Sequence, residues 1–145
     1  PRDAFVDGIL EDGSAALVIE PGVRDLAHPD HAVGVEGVEA ISPVQLRAMG
    51  ARGLLDRVPS DRPLYVSFDI DALDPSVAPG TTTPLPGGLD LWEALELVEA
   101  LAGHPRVVGF DLTEYDPSLD PDKRTAEAAV RLILTFLDGV FGPPS

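Results

Sequence analysis

Three carboxylates crowd the end of one apolar run. In "SFDIDALDPSVAPGTTTPLPGG", residues 67 to 88, Asp69, Asp71 and Asp74 fall within six positions, and prolines and a Gly-Gly pair follow. Residues two apart in an extended strand point to the same side, so Asp69 and Asp71 are expected to project together and repel unless neutralised. A hard divalent cation such as Mg²⁺ or Mn²⁺ does that neutralising, because carboxylate oxygen is its preferred ligand. The bland account of a bare Asp-x-Asp is an Asp-Pro turn in which the pair caps nearby backbone amides.

The spacing separates several uses of clustered aspartates. A calcium-binding EF-hand loop starting at Asp69 needs glycine at its sixth position and glutamate at its twelfth. Those positions hold Asp74 and Gly80, which excludes it. A phosphoryl-transfer site would use Asp69 as nucleophile and Asp71 as acid. Its usual threonine or valine two places after the second aspartate is Leu73 here. A nucleotide-sugar transferase would also bind Mn²⁺ through such a pair, but no diphosphate-cradling loop accompanies it.

The elements that must position these residues alternate in kind. "AALVI" (15–19) reads as a buried strand closed by Pro21-Gly22, and "VEAIS" (38–42) as a weaker one. The polar stretch between them reads as loop or one short helix. Ser42, Pro43 and Gln45 carry a capping-box signature for a helix bearing Val44, Leu46, Met49 and Leu54, weakened by Gly50 and Gly53. "LYVSFDID" follows as a strand. Asp90 and Glu93 open a second helix whose apolar face is expected to be Leu91, Leu95, Val98 and Leu101 or Ala102, with Gly103 ending it. "RVVGFDLTE" is the next strand, and Thr125 to Val140 is helical through Ala126, Ala129, Val130, Ile133, Leu134 and Leu137. This rhythm predicts a parallel α/β sheet, in which ligands bind beyond the carboxyl ends of the strands. The aspartate cluster and "DLTEYDP" (111–117) both lie at such ends.

Composition narrows the field. The chain has 145 residues, about one domain, and 44% of them are hydrophobic. No apolar run approaches the roughly 20 residues that span a bilayer, and no secretory signal is recognisable at the start, so the cytoplasm is the expected compartment. With no cysteine, thiolate zinc sites and disulfides are excluded. A net charge of −15 argues against nucleic acid and suits a cationic substrate or metal ions.

The longer string is more specific than its triplet. "SFDIDALDPSVAPGTTTPLPGGL" resembles the signature of the ureohydrolases, the manganese hydrolases that include arginase, agmatinase and formimidoylglutamase. "FDLTEYDPSLDPDKRTA" (110–126) resembles that family's second downstream signature, and "GVRD" (22–25) its glycine-arginine strand end. The resemblance implies a three-layer α-β-α parallel sheet of the arginase kind. Asp69 and Asp71 match the two late aspartates that ligate a pair of Mn²⁺ ions, Asp69 bridging them and Asp71 completing one shell. Glu114 matches the glutamate that pairs with the substrate's guanidinium, a planar cation suited to a carboxylate. Asp74 and Thr83 resemble residues that shape the loop. In that family the metals acidify a bridging water, which attacks the guanidinium carbon and releases urea.

The chain also departs from the family. The earlier Gly-Gly-Asp-His, Asp-Ala-His-x-Asp and Asn-x-x-His-Gly segments, which supply further ligands and substrate contacts, have no counterpart in it. "PRDAFVDGIL" resembles the helix after the last of these, so residues 1–145 are expected to be the C-terminal half of a ureohydrolase domain. Thr82 stands where glycine is usual. His28 and His31, three apart with Asp30 between them, have a spacing found in ligand pairs, and a surface loop accounts for them at least as well. His104, after the helix-ending glycine, is expected to cap or be solvated, and Trp92 to pack in the core.

The expected activity is manganese-dependent hydrolysis of a small guanidino compound. "SFDIDALDP" and "APGT" lean toward agmatinase, "LDPDKRTA" toward arginase, and formimidoylglutamase stands third. The contrasting expectation is a catalytically incomplete fragment that folds or assembles without activity. An unpaired sheet edge and apolar helix faces further suggest a homo-oligomer, or association with an N-terminal half.

Overall fold

The computed structural model describes Glu11, Gly13, residues 17–24 and residues 38–142. Strand β1 (Val18–Pro21) pairs in parallel with β2 (Val38–Ile41), Val18 opposite Val38 and Pro21 opposite Ile41. The first strand thus starts later than the apolar run suggests and continues through Pro21. Gly22 leaves it at φ +93°, a left-handed conformation that glycine adopts without steric cost, and donates its N–H to the Ile41 carbonyl at 2.7 Å.

Helix α1 (Pro43–Leu55) opens as expected. The Gln45 N–H donates to Ser42 Oγ (3.3 Å) and the Ser42 N–H donates back to Gln45 Oε1 (2.9 Å), with proline in the first turn. Gly50 breaks it with φ 70° and ψ 171°. Leu46 and Leu54 are buried, whereas Val44, named with them among the apolar residues of this helix, is exposed.

Strand β3 (Leu64–Asp69) runs parallel to β4 (Val107–Thr113), with Asp69 opposite Thr113, so both strands deliver their C-terminal ends to one place. Val66 and Phe68 face the core, while Tyr65 and Ser67 alternate onto an exposed face. Between the two strands, helix α2 (Leu91–Ala102) begins at a capping box formed by Asp90 and Glu93 and ends at Gly103. It buries Ala94, Leu97, Val98, Leu101 and Ala102. Trp92 is 73% exposed, which corrects its expected place in the core.

Helix α3 (Arg124–Phe141) packs on α2 and β4, with Phe136 stacked on Phe110 at 4.5 Å between ring centroids. Its buried face is Thr125, Ala128, Ala129, Leu132 and Phe136. Val130, Ile133, Leu134 and Leu137, which carry the helical rhythm in the sequence, lie on the exposed side. Two apolar stripes run along this helix, and α2 with Phe110 of β4 covers the one that carries Leu132 and Phe136.

Candidate functional site

The carboxyl end of β3 is not extended through the aspartate pair. The strand stops at Asp69, and Ile70–Ala72 forms a single 3₁₀ turn capped by Asp69, whose Oδ1 accepts the Asp71 N–H at 2.8 Å. The side chains therefore meet through the curl of a turn, and the strand-alternation argument is corrected on that point. Ile70 and Leu73, 0% and 1% exposed, fix the turn from its apolar side. Asp69 is pushed up to about 7, chiefly by burial, and further by the neighbouring charges of Asp71 and Glu114, against the Asp71 N–H, which stabilises the ionised form.

Glu114 follows β4 directly and adopts φ 62°. A left-handed glutamate costs backbone energy that the surrounding fold must hold in place, and such strain gathers at functional sites. The structure thus brings Asp69, Asp71 and Glu114 into one electrostatic neighbourhood at the ends of adjacent parallel strands. Among the described residues there is no group of three or more ligating side chains that could by itself hold a metal ion. Asp69 and Asp71 still suit part of such a shell, since a half-buried carboxylate under like-charge pressure is relieved by a hard cation. His28 and His31 lie outside the described residues. His104 lies well away from this role: it is buried, its Nδ1 accepts the Arg106 N–H (3.2 Å) and its Nε2 lies 3.3 Å from the Pro59 carbonyl oxygen. The expectation of a solvated or helix-capping His104 side chain is corrected, since the ring bridges the Arg106 N–H and the Pro59 carbonyl and the helix is capped at Gly103.

The loops around the site are tied together by polar groups. Asp74 accepts the N–H groups of Ser76 (3.0 Å) and Gly87 (2.8 Å), and these bonds, Ser76 first, hold its carboxyl at about 2. Leu89 bonds back across the loop, its N–H to the Ala72 carbonyl and its carbonyl to the Asp74 N–H. Thr83 contributes its backbone N–H to Thr81 Oγ1 at 3.5 Å.

A second knot joins the two signature segments. The Gly80 N–H donates to Thr125 Oγ1 at 2.8 Å, and the Gly80 carbonyl accepts the Asp116 N–H at 2.9 Å. Asp120 accepts the N–H groups of Thr125 and Ala126, capping α3 from outside the helix. Burial alone would raise the Asp120 carboxyl, but the Ala126 and Thr125 amides outweigh it and keep it below its ordinary value. A Cβ on Gly80 would lie 2.7 Å from Asp120 Cβ and 2.9 Å from Thr125 Oγ1, so the junction closes only around glycine. Asp120 and Thr125 both fall within the 110–126 signature string, whose resemblance does not by itself assign this clamp. A threonine at the expected start of a helix was the available signal.

The family model described as "Arginase family" matches residues 6–138. An agmatinase from Chromobacterium violaceum is 49% identical over 77 residues, covering 53% of this chain and 24% of the relative. An agmatinase from Citrobacter koseri is 32% identical over 147 aligned positions, covering 93% of this chain and 47% of the relative. Among solved structures, the formimidoylglutamase of Bacillus subtilis superposes with a TM-score of 0.83 at 27% identity, over 96% of this chain and 47% of that one. The chain spans at most about half the length of the relatives it matches.

Proposed function

This chain belongs to the arginase family, and from that premise we propose that it forms the C-terminal half of a ureohydrolase domain and contributes to hydrolysis of a guanidino compound of the agmatine or arginine class. In that reaction a water oxygen joins the guanidino carbon, the bond from that carbon to the chain-bearing nitrogen breaks, and urea and an amine leave. The observation that carries the reading is the convergence of Asp69, Asp71 and a left-handed Glu114 at the ends of two adjacent parallel strands. Agmatinase relatives favour the amine-ended substrate. The superposition on a formimidoylglutamase keeps hydrolysis of a formimidoyl group as the second reading.

Asp69 and Asp71 would hold Mn²⁺ together with ligands from the remainder of the polypeptide. When bound, such a cation supplies Lewis acidity and lowers the pKa of water. Glu114 accepts N–H bonds from the guanidinium and fixes its plane, a charge-assisted contact that gains strength as solvent is excluded. The exposed row of Val130, Leu134, Leu137 and Phe141 on α3 favours assembly with the rest of the polypeptide or a second copy, measurable by sedimentation.

The test separates the two roles in the natural full-length polypeptide. Asp71→Ala should lose manganese and urea release together. Glu114→Gln keeps the shape but not the charge, so manganese content should survive while turnover falls. Urea production from agmatine and arginine is measured beside metal content. A Glu114→Gln protein that keeps full turnover, or that loses its metal, removes Glu114 from this role.

A further inference from the structure

We infer that Arg24 is a positioning residue for the acidic pair, a clamp that holds the Ile70–Ala72 turn so that Asp71 stays beside Asp69. The inference rests on the reading that this pair holds a divalent cation.

The geometry is specific. Arg24 Nη1 donates to the carbonyl oxygens of Gly22 (3.3 Å) and Ala72 (3.2 Å), and Nη2 donates to the carbonyl oxygen of Asp71. One guanidinium therefore links the end of β1 to two successive carbonyls of the turn, 47 and 48 residues further along. The backbones are also in close approach: a Cβ on Gly22 would lie 3.2 Å from Ala72 Cβ. Arg24 is partly buried, and its Nε is buried without a hydrogen-bond partner among the described residues. Desolvating that N–H has a cost, so the position of the fork is set by what the two Nη atoms hold.

The turn needs such a clamp. Two carboxylates close together push each other apart, and a short 3₁₀ turn has few hydrogen bonds of its own to resist. Ile70 and Leu73 anchor it by apolar contact, which is strong but not directional. Hydrogen bonds to the carbonyls of Asp71 and Ala72 supply the direction. A planar fork with several fixed donors suits several carbonyls at once, whereas a lysine ammonium is a point charge that cannot reproduce the pattern. Groups that orient metal ligands in this indirect way typically contribute about 10–100-fold to metal affinity.

The experiment uses the natural full-length polypeptide and Mn²⁺ alone, without substrate. Calorimetry gives the affinity and stoichiometry, the electron paramagnetic resonance of bound manganese reports its coordination, and circular dichroism with thermal melting follows the fold. Arg24→Met should remain folded, bind Mn²⁺ about 10–100-fold more weakly and alter the resonance signal, and Arg24→Lys should recover part of the loss. Three results overturn the inference. Arg24→Met could bind within threefold of wild type while Asp71→Ala loses the metal. Both Arg24 variants could fail to fold, which makes the residue a folding determinant only. Asp71→Ala could itself bind Mn²⁺ normally, which removes the metal reading first and this inference with it.

Discussion

The knot between Gly80 and Thr125 offers the sharpest test of how the two signature segments are held. Thr125 is fully buried (0% exposed), and its hydroxyl oxygen is the acceptor for the Gly80 N–H at 2.8 Å. Thr125→Val keeps the side-chain shape and removes the acceptor. The Gly80 N–H is then left buried and unpaired, which costs about 1–3 kcal/mol. A methyl carbon in place of the oxygen also sits too close to that nitrogen, so the loop must shift. For a domain of this size a loss of about 2 kcal/mol lowers Tm by about 4–8 °C. Because the Gly80 carbonyl accepts the Asp116 N–H, two residues after Glu114, the shift should reach the proposed substrate carboxylate and lower turnover as well. Thr125→Ser keeps the hydroxyl and should lie near wild type on both measures. Thermal and urea denaturation of the three proteins, with urea release assayed beside them, decides the matter. Equal stability of the valine and serine variants would refute the clamp.

Other consequences can be checked with single substitutions. Gly88→Ala places a Cβ 2.4 Å from the Leu73 carbonyl carbon and 2.5 Å from the Asp74 nitrogen, so it should abolish soluble folded protein, read by expression and circular dichroism. Asp74 is held near 2, below its ordinary 3.8, so its contribution to stability is present above pH 3.8 and is lost as pH falls toward about 2. Asp74→Asn should therefore be less stable than wild type near neutrality, and the gap in urea midpoints should narrow through that acid window. A gap independent of pH would show that Asp74 acts through shape alone. Arg47 pairs with Glu93 at 2.6 Å on a partly exposed surface, and Arg47→Met should cost no more than about 1 kcal/mol in denaturant unfolding.

The sequence by itself determined the local events. Both capping boxes are closed by residues three apart, so Ser42 with Gln45 and Asp90 with Glu93 start their helices as read from the chain alone. Strand ends were legible to within a residue or two, because β-forming runs pass into acidic, proline-rich turns just after Asp69 and Thr113. Tertiary structure decided what periodicity leaves open. Helix α3 carries apolar residues on two sides, and packing against helix α2 together with Phe110 of β4 selects the side bearing Leu132 and Phe136. The meeting of Asp69 and Asp71 depends on a 3₁₀ turn whose Ile70 and adjoining Leu73 are buried by the tertiary packing and whose carbonyls are held by Arg24, a partner remote in sequence whose effect no spacing rule contains. The left-handed backbone of Glu114 follows the same logic. A strained conformation persists because the surrounding packing over-determines it, and that packing exists only once the strands lie side by side.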